Sequence, residues 1–395
     1  MSTSLQNCSP FRTVLLREWQ RMTSRRLYFG ACIVLPLFVL FMMATIFGNG
    51  QMENIPIGIV DQDNTATSRN IIRTISAVPT FKVTKHFVNE AAAREAVQKK
   101  DIYGYLSIPP QFEQDAMTGK DATLSYYYHY ALMSVGGELM SAFTTALTPV
   151  SLSPIVMQAV SVGVGRNRIT TFLLPIKADS HPIYNPSLDY SIYLSQPFFF
   201  VLFQILILLT TVYAVGIEIK FGTATEWLAA AGGNITTAVL GKLLPYTLIY
   251  IWIGWFANYV MFGILHIPFQ GSWGLMNLAT AIFIIATQGL GLFMFSLLPA
   301  ISLSISGVSM VGSLGATLSG VTFPVPNMYP VVRDASYLFP VRHFTEIMQT
   351  MLYGGGGFLH VWQSLAILCI FPLLALLPLP QLKRAIESHK YEETK

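Results

Sequence analysis

The sequence predicts a polytopic α-helical membrane protein of about six transmembrane helices, with a small α/β extracytoplasmic domain inserted between helices 1 and 2. Three observations predict it. Charge is scarce: 53% of the 395 residues are hydrophobic and 11% are charged, against about 25% charged in an ordinary soluble domain. The apolar residues fall in runs of about 20, the length that crosses a hydrocarbon core at 1.5 Å per residue. One long stretch, 49–190, has ordinary polarity and strand-helix alternation instead.

The first apolar run, Leu27–Phe47, follows Arg12, Arg17, Arg21, Arg25 and Arg26, opposed only by Glu18. The run and its basic lead are too long for a cleaved signal, and no small-residue cleavage site follows. It reads as a retained anchor (27–48) with its N-terminus on the cytoplasmic side. Within 1–26, Phe11, Val14, Leu15 and Leu16 alternate with the charges at helical spacing, and Trp19 adds an interfacial aromatic. An amphipathic helix on the cytoplasmic membrane face is expected.

In 49–190, Ile55–Val60, Phe81–Val88, Ile102–Ile108 and Leu124–Tyr130 read as strands, and Thr65–Ala77, Glu90–Lys99 and Gln111–Met117 as helices. Asn89 is a candidate N-cap. The stretch Leu132–Val164 reads as a helical arm that Pro149 and Pro154 break, and Arg166–Leu188 returns to the membrane. The domain contains no cysteine; the three present are Cys8, Cys32 and Cys369. Their spacing suits neither a metal nor a redox motif.

Five further spans complete a bundle over 191–382: Ser191–Val215, Lys242–Leu265, Trp273–Leu298, Ala300–Val321 and Phe358–Leu382, the fourth and fifth joined by the hairpin Leu298–Pro299–Ala300. Lys383 and Arg384 follow the last run, so both termini (the tail being 383–395) are placed in the cytoplasm. A cytoplasmic loop, 216–241, then separates spans two and three. Segment 322–357, broken by Pro324, Pro326, Pro330 and Pro340, reads as semi-embedded short helices at the outer interface.

No catalytic motif stands out: HExxH and GxSxG are absent. His343 with Glu346 reads as a satisfied interfacial pair. Gly241–Lys242 and Leu318–Ser319–Gly320 imitate fragments of nucleotide motifs without their remaining residues. Net charge of +4 gives no reason to expect nucleic acid. A secondary transporter would need ionisable groups at midspan, where this chain offers mainly Gln204, Asn258 and Gln288.

Glu218, Gly222–Thr223, Glu226–Trp227–Leu228 and Gly241–Lys242–Leu243–Leu244–Pro245–Tyr246 resemble the signature loop of ABC-2 type transporter permeases. Three other segments resemble the same family: Ile57–Asn64 with Thr65–Ser68, Tyr103–Phe112, and Phe339–Pro340–Val341–Arg342–His343–Phe344. The resemblance spans nearly the whole chain. Lys220 stands where the family often has an acid, and Thr225 lengthens the loop by one residue.

The resemblance implies the permease subunit of an ATP-driven exporter that moves a drug-like or lipophilic compound across a bacterial plasma (inner) membrane. It implies cytoplasmic ABC ATPase subunits as partners, a second permease copy as homo- or heterodimer, a periplasmic adaptor protein, and membrane lipid. No cofactor is expected on this chain, since ATP and Mg are used by the partner ATPase. The ATPase-coupling loop comprises Glu218, Gly222, Thr223, Glu226, Trp227, Leu228, Gly241 and Lys242, with Glu218 and Glu226–Leu228 as contact elements. The outer semi-embedded segment contributes Phe339, Pro340, Arg342, His343 and Glu346. A non-transporting assembly or sensor protein, whose outer domain binds a partner, is the alternative reading.

Overall fold

The computed structural model describes residues 9–47, 50, 52–118, 120, 122–161, 185, 189 and 191–389. Two compact units divide the chain: Met1–Asn49 with Tyr190–Lys395, and Gly50–Asp189.

The first unit is helical and, among the described residues, holds six helices long and apolar enough to cross a membrane. These are α2 (Arg26–Ile46), α7 (Ser191–Lys220), α9 (Ile235–Ile264), α10 (Trp273–Leu297), α11 (Ile301–Leu318) and a last span over Phe358–Glu387. α7 and α10 are the most buried and form the centre; α2 and α11 are the least buried. Phe199, Phe200, Phe203, Phe283 and Phe344 interlock there, with Phe283 and Phe344 stacked at 4.5 Å. The three midspan amides clamp helices together. Asn258 on α9 bonds Gln196, Asn277 and Thr280; Gln288 accepts from Thr247. Gln204 accepts the Val341 backbone N–H at 2.9 Å. In a hydrocarbon setting such bonds hold helices together that apolar surface alone would not.

The last run is not one straight helix. α14 (Phe358–Leu374) gives way to a turn, and α15 (Leu379–Glu387) follows. Pro372, Pro378 and Pro380 explain the break, since a ring in the helix interior removes a donor and crowds the preceding turn. Lys383 and Arg384 therefore sit within an amphipathic helix whose Leu379, Leu382 and Ile386 are buried, and not in a free tail.

The N-terminal helix α1 (Pro10–Ser24) also differs from expectation. Its buried stripe is Val14, Glu18 and Met22, at i, i+4 and i+8, packed across α9. Phe11, Leu16 and Trp19 stay exposed. The bundle-facing stripe thus carries a carboxylate, for reasons given below.

The second unit contains a four-stranded sheet in the order β2-β1-β3-β4, with β1 Ile55–Asp61, β2 Phe81–Phe87, β3 Gly104–Ile108 and β4 Ser125–Tyr128. β1 pairs in parallel with β2 and β3, and β4 closes antiparallel on β3. Parallel neighbours require crossover helices, supplied by α3 (Ala66–Ser76) and α4 (Glu90–Gln98). Ile55, Ile57 and Ile59 of β1 join a core with Ile71 and Ile75 of α3. Val60 joins a smaller one with Ala93 and Ala96 of α4. Helices therefore cover both sheet faces. Thr65 and Asn89 cap the two helices, Thr65 in a capping box with Ser68. α5 (Phe112–Thr118) follows β3.

The arm α6 (Met133–Ser161) is one continuous 29-residue helix, so the expected breaks at Pro149 and Pro154 do not occur. The Arg166–Leu188 return lies outside the described residues, apart from Asn185.

Candidate coupling site

The stretch between α7 and α9 is shorter than the loop 216–241 read from sequence. Glu218 and Lys220 belong to α7, and Gly241 and Lys242 lie in α9. Between them sits one short helix, α8 (Ala224–Ala230). Both of its borders are set by backbone chemistry. α7 ends at Gly222, whose φ of +68° places it in the left-handed region. Gly222 N–H reaches Ile219 O at 3.1 Å and Thr223 N–H reaches Glu218 O at 2.9 Å, the paired bonds of a Schellman motif. The pattern repeats after α8: Gly232 and Gly233 donate to Ala229 O and Leu228 O, both at 2.9 Å. Asn234 then caps α9 by accepting from Thr236 N–H at 2.9 Å. An αL residue with a side chain costs about 1–2 kcal/mol, which is why glycine ends each helix here.

α8 has two faces. Ala224, Trp227 and Leu228 are buried, and the Trp227 indole donates to Ala238 O at 3.2 Å. Thr225, Glu226 and Ala229 are exposed. Of the three residues expected to contact a partner, Glu226 alone points outward; Trp227 and Leu228 anchor the helix to the bundle.

Beneath α8 lies a buried ionic cluster. Glu218 is fully buried, with a side-chain exposure of 0%. Arg17 grips it in bidentate fashion at 3.1 and 3.2 Å. Arg21 and the Thr223 hydroxyl donate to it as well, and Lys242 reaches it at 2.8 Å. Lys242, equally buried, bridges on to Glu18 at 2.5 Å, and Glu18 accepts from the Tyr246 hydroxyl at 2.7 Å. The Lys242 ammonium also lies 5.5 Å from the Trp227 ring. Three cations thus share two carboxylates, one positive charge in excess. α1, α7, the α8 border and α9 all meet at these few atoms. Glu218 is accordingly no surface contact; the expectation that it touches a partner is corrected by its burial under four donors.

Gly241 serves the same convergence. A Cβ there would come within 3.0 Å of the Val14 side chain and 3.2 Å of Phe11 O. Any side chain there would require α1 to draw back, so glycine suits this close crossing of α1 over α9.

Glu18, Arg17 and Arg21 are site residues that sequence reading missed, and Tyr246 entered it only as the end of a resembling segment. The available signal was Glu18 itself, a lone acid among five arginines, on the same helical stripe as Val14 and Met22.

In the outer segment, a 3₁₀ turn at Val325–Asn327 and α12 (Pro330–Ser336) lead into α13 (Pro340–Gly354). Phe339 precedes α13 as its cap residue and Pro340 occupies its first turn, where a missing N–H is harmless. Val341, Phe344, Ile347 and Met348 are fully buried. His343 does not pair with Glu346. Its Nε2 lies 3.0 Å from Tyr337 O, and its Nδ1 has no partner. Burial pushes its imidazole pKa down, so the neutral ring is the stable form. Glu346 instead accepts from Arg342 at 3.0 Å and from Ser364 at 3.0 Å, tying α13 to α14. This segment and the ionic cluster share no hydrogen bond among the described residues.

Comparison with known proteins agrees with this architecture. The family model of the ABC-2 family transporter proteins matches residues 26–377. The inner membrane transport permease YhhJ of Escherichia coli (strain K12) is 25% identical over 327 residues, 81% of this chain and 83% of that protein. The probable multidrug ABC transporter permease YbhR of the same strain is 27% identical over 195 residues, 49% of this chain; the match spans about half of YbhR, 51%. The probable multidrug ABC transporter permease YbhS is 26% identical over 122 residues, 30% of this chain and 32% of that protein. With the family model covering most of the chain and reaching into each of the six apolar helices found among the described residues, the chain belongs to the ABC-2 family transporter proteins and is a polytopic membrane protein.

Proposed function

We propose that this chain is the permease subunit of an ATP-driven exporter, and that α8 is the element through which a cytoplasmic ABC ATPase moves it. The observation that carries the reading is the two-faced α8. Its outer face, with Glu226, is free to dock, while its inner face is fastened by Trp227 and the Glu218 cluster to three other helices. A push on α8 therefore reaches α1, α7 and α9 together. Transport then follows as a shift between two packings of the bundle, biased by the nucleotide state of the partner. ATP and Mg belong to that partner.

The multidrug type of the relatives and the apolar spans support a drug-like or lipophilic cargo. Likeness to an inner membrane permease supports a bacterial inner membrane, with both termini cytoplasmic and the Gly50–Asp189 α/β unit extracytoplasmic. The thinly buried helices α2 and α11 offer faces for a second permease copy, and the α/β unit a surface for a periplasmic adaptor.

The test reverses the charge on the docking face. In proteoliposomes holding the chain and its ATPase, Glu226→Lys is expected to reduce ATP-dependent export to background while the protein inserts and folds normally. Wild-type export by that variant would remove α8 as the coupling element.

A further inference from the structure

The junction between α1 and α2 encloses a cavity of about 370 Å³ lined by Trp19, Arg25, Arg26, Tyr28, Cys32 and Ile249, among others. Its composition is divided. Arg25 and Arg26 lie exposed at its mouth, and no ion pair or hydrogen bond engages either guanidinium among the described residues. Every other arginine of α1 and its flank that faces the bundle is paired: Arg17 and Arg21 both hold Glu218. Tyr28 also lines the cavity, with its hydroxyl enclosed by the protein. Beyond these groups Phe29, Cys32, Ile33 and Ile249 give an apolar floor. Trp19, 51% exposed, stands at the rim, the amphipathic type that settles at headgroup level.

We infer that this cavity binds an anionic glycerophospholipid, its phosphate held by Arg25 and Arg26 and one acyl chain lying along Phe29, Ile33 and Ile249. Two unpaired guanidiniums call for an anion, and planar forks suit phosphate oxygens. The apolar floor calls for a chain attached to that anion. The location supplies the source: α2 is a membrane span, and Arg25 and Arg26 sit where it begins. A zwitterionic lipid offers the same chain and phosphate but carries a cation that the two arginines repel. The inference needs only the membrane reading, not the exporter reading. If both hold, an occupied cavity fixes the joint between α2 and α1, and α1 holds the Glu218 cluster.

The experiment photolabels the full-length chain in nanodiscs. One probe is phosphatidylglycerol with a diazirine in one acyl chain; the other is phosphatidylcholine with the same chain. Labelled peptides are mapped by mass spectrometry. Phosphatidylglycerol is expected to label the peptide containing Phe29 and Ile33 at least about fivefold more than phosphatidylcholine does. Arg25→Gln with Arg26→Gln should abolish that preference, whereas Arg25→Lys with Arg26→Lys should keep part of it and preserves the charge that orients the helix. Excess glycerol 3-phosphate should not compete; competition would mean that a free phosphate suffices and would overturn the lipid assignment. Equal labelling by the two lipids, or a preference untouched by the glutamine pair, would overturn it outright.

Discussion

Glu218→Gln is expected to be the most damaging single substitution in the bundle, and Lys242→Met markedly milder. The reason is charge bookkeeping inside the cluster. Glu218 neutralises Arg17, Arg21 and Lys242, and its loss leaves three cations facing one carboxylate. Removing one partner from a buried ionic group typically costs about 3–5 kcal/mol, because uncompensated charge stays buried. Lys242→Met does the opposite. It removes the excess cation, leaves Glu218 with both arginines, and leaves Glu18 with the Tyr246 hydroxyl. Glu18 loses its ion-pair partner in that variant, which carries a cost too, but the two arginines and two carboxylates that remain are balanced in charge. Thermal unfolding in detergent, followed by fluorescence-detected size exclusion, compares the two. Equal losses would show that the charge balance described here does not govern the cluster.

Much of the bundle and of the strand-helix order is legible in the sequence, because run length and hydrophobic period are local properties. Asn89, Pro340 and the Leu298–Ala300 hairpin are local signals of this kind. Helix ends were less legible. Glu218 and Lys220 looked like loop residues since charge usually marks solvent, yet the helix runs on until Gly222 stops it. Here the charge is buried because its partners come from elsewhere. The Glu18–Lys242 bond joins residues 224 positions apart, and no window along the chain contains both. His343 shows the same limit at shorter range. Glu346 lies on the same helix, three residues on, but the ring is taken by the Tyr337 carbonyl from the preceding turn. Pro149 and Pro154 erred in the other direction: proline disfavours helix interiors without forbidding them, and α6 continues through both.

The second large effect is expected at the crossing of α1 over α9. Gly241→Leu would drive a side chain into Val14 and the Phe11 carbonyl, where even a Cβ stands 3.0 Å and 3.2 Å away. Overpacking of this kind costs about 1–3 kcal/mol when neighbours can shift. α1 is the element able to shift, since it rests on the bundle by a single stripe. Its displacement would separate Arg17 and Arg21 from Glu218 and Glu18 from Lys242. Export should fall severalfold or more, and trypsin should cut after Arg17 and Arg21, which the native packing shields. A variant with native proteolysis and native export would mean that α1 does not need this close approach.

Both results concern the same proposal, that α8 receives force from a partner and passes it through the Glu218 cluster. The most direct test is site-directed cross-linking in the assembled complex. In a background with Cys8, Cys32 and Cys369 replaced by serine, single cysteines are placed at Thr225, Glu226 and Ala229 on the exposed face and at Trp227 on the buried one. The three exposed positions are expected to cross-link to the ATPase, with yields that change when ATP is bound, and Trp227→Cys is expected not to. Cross-linking absent from all three exposed positions, or no stronger there than at Trp227, would contradict it.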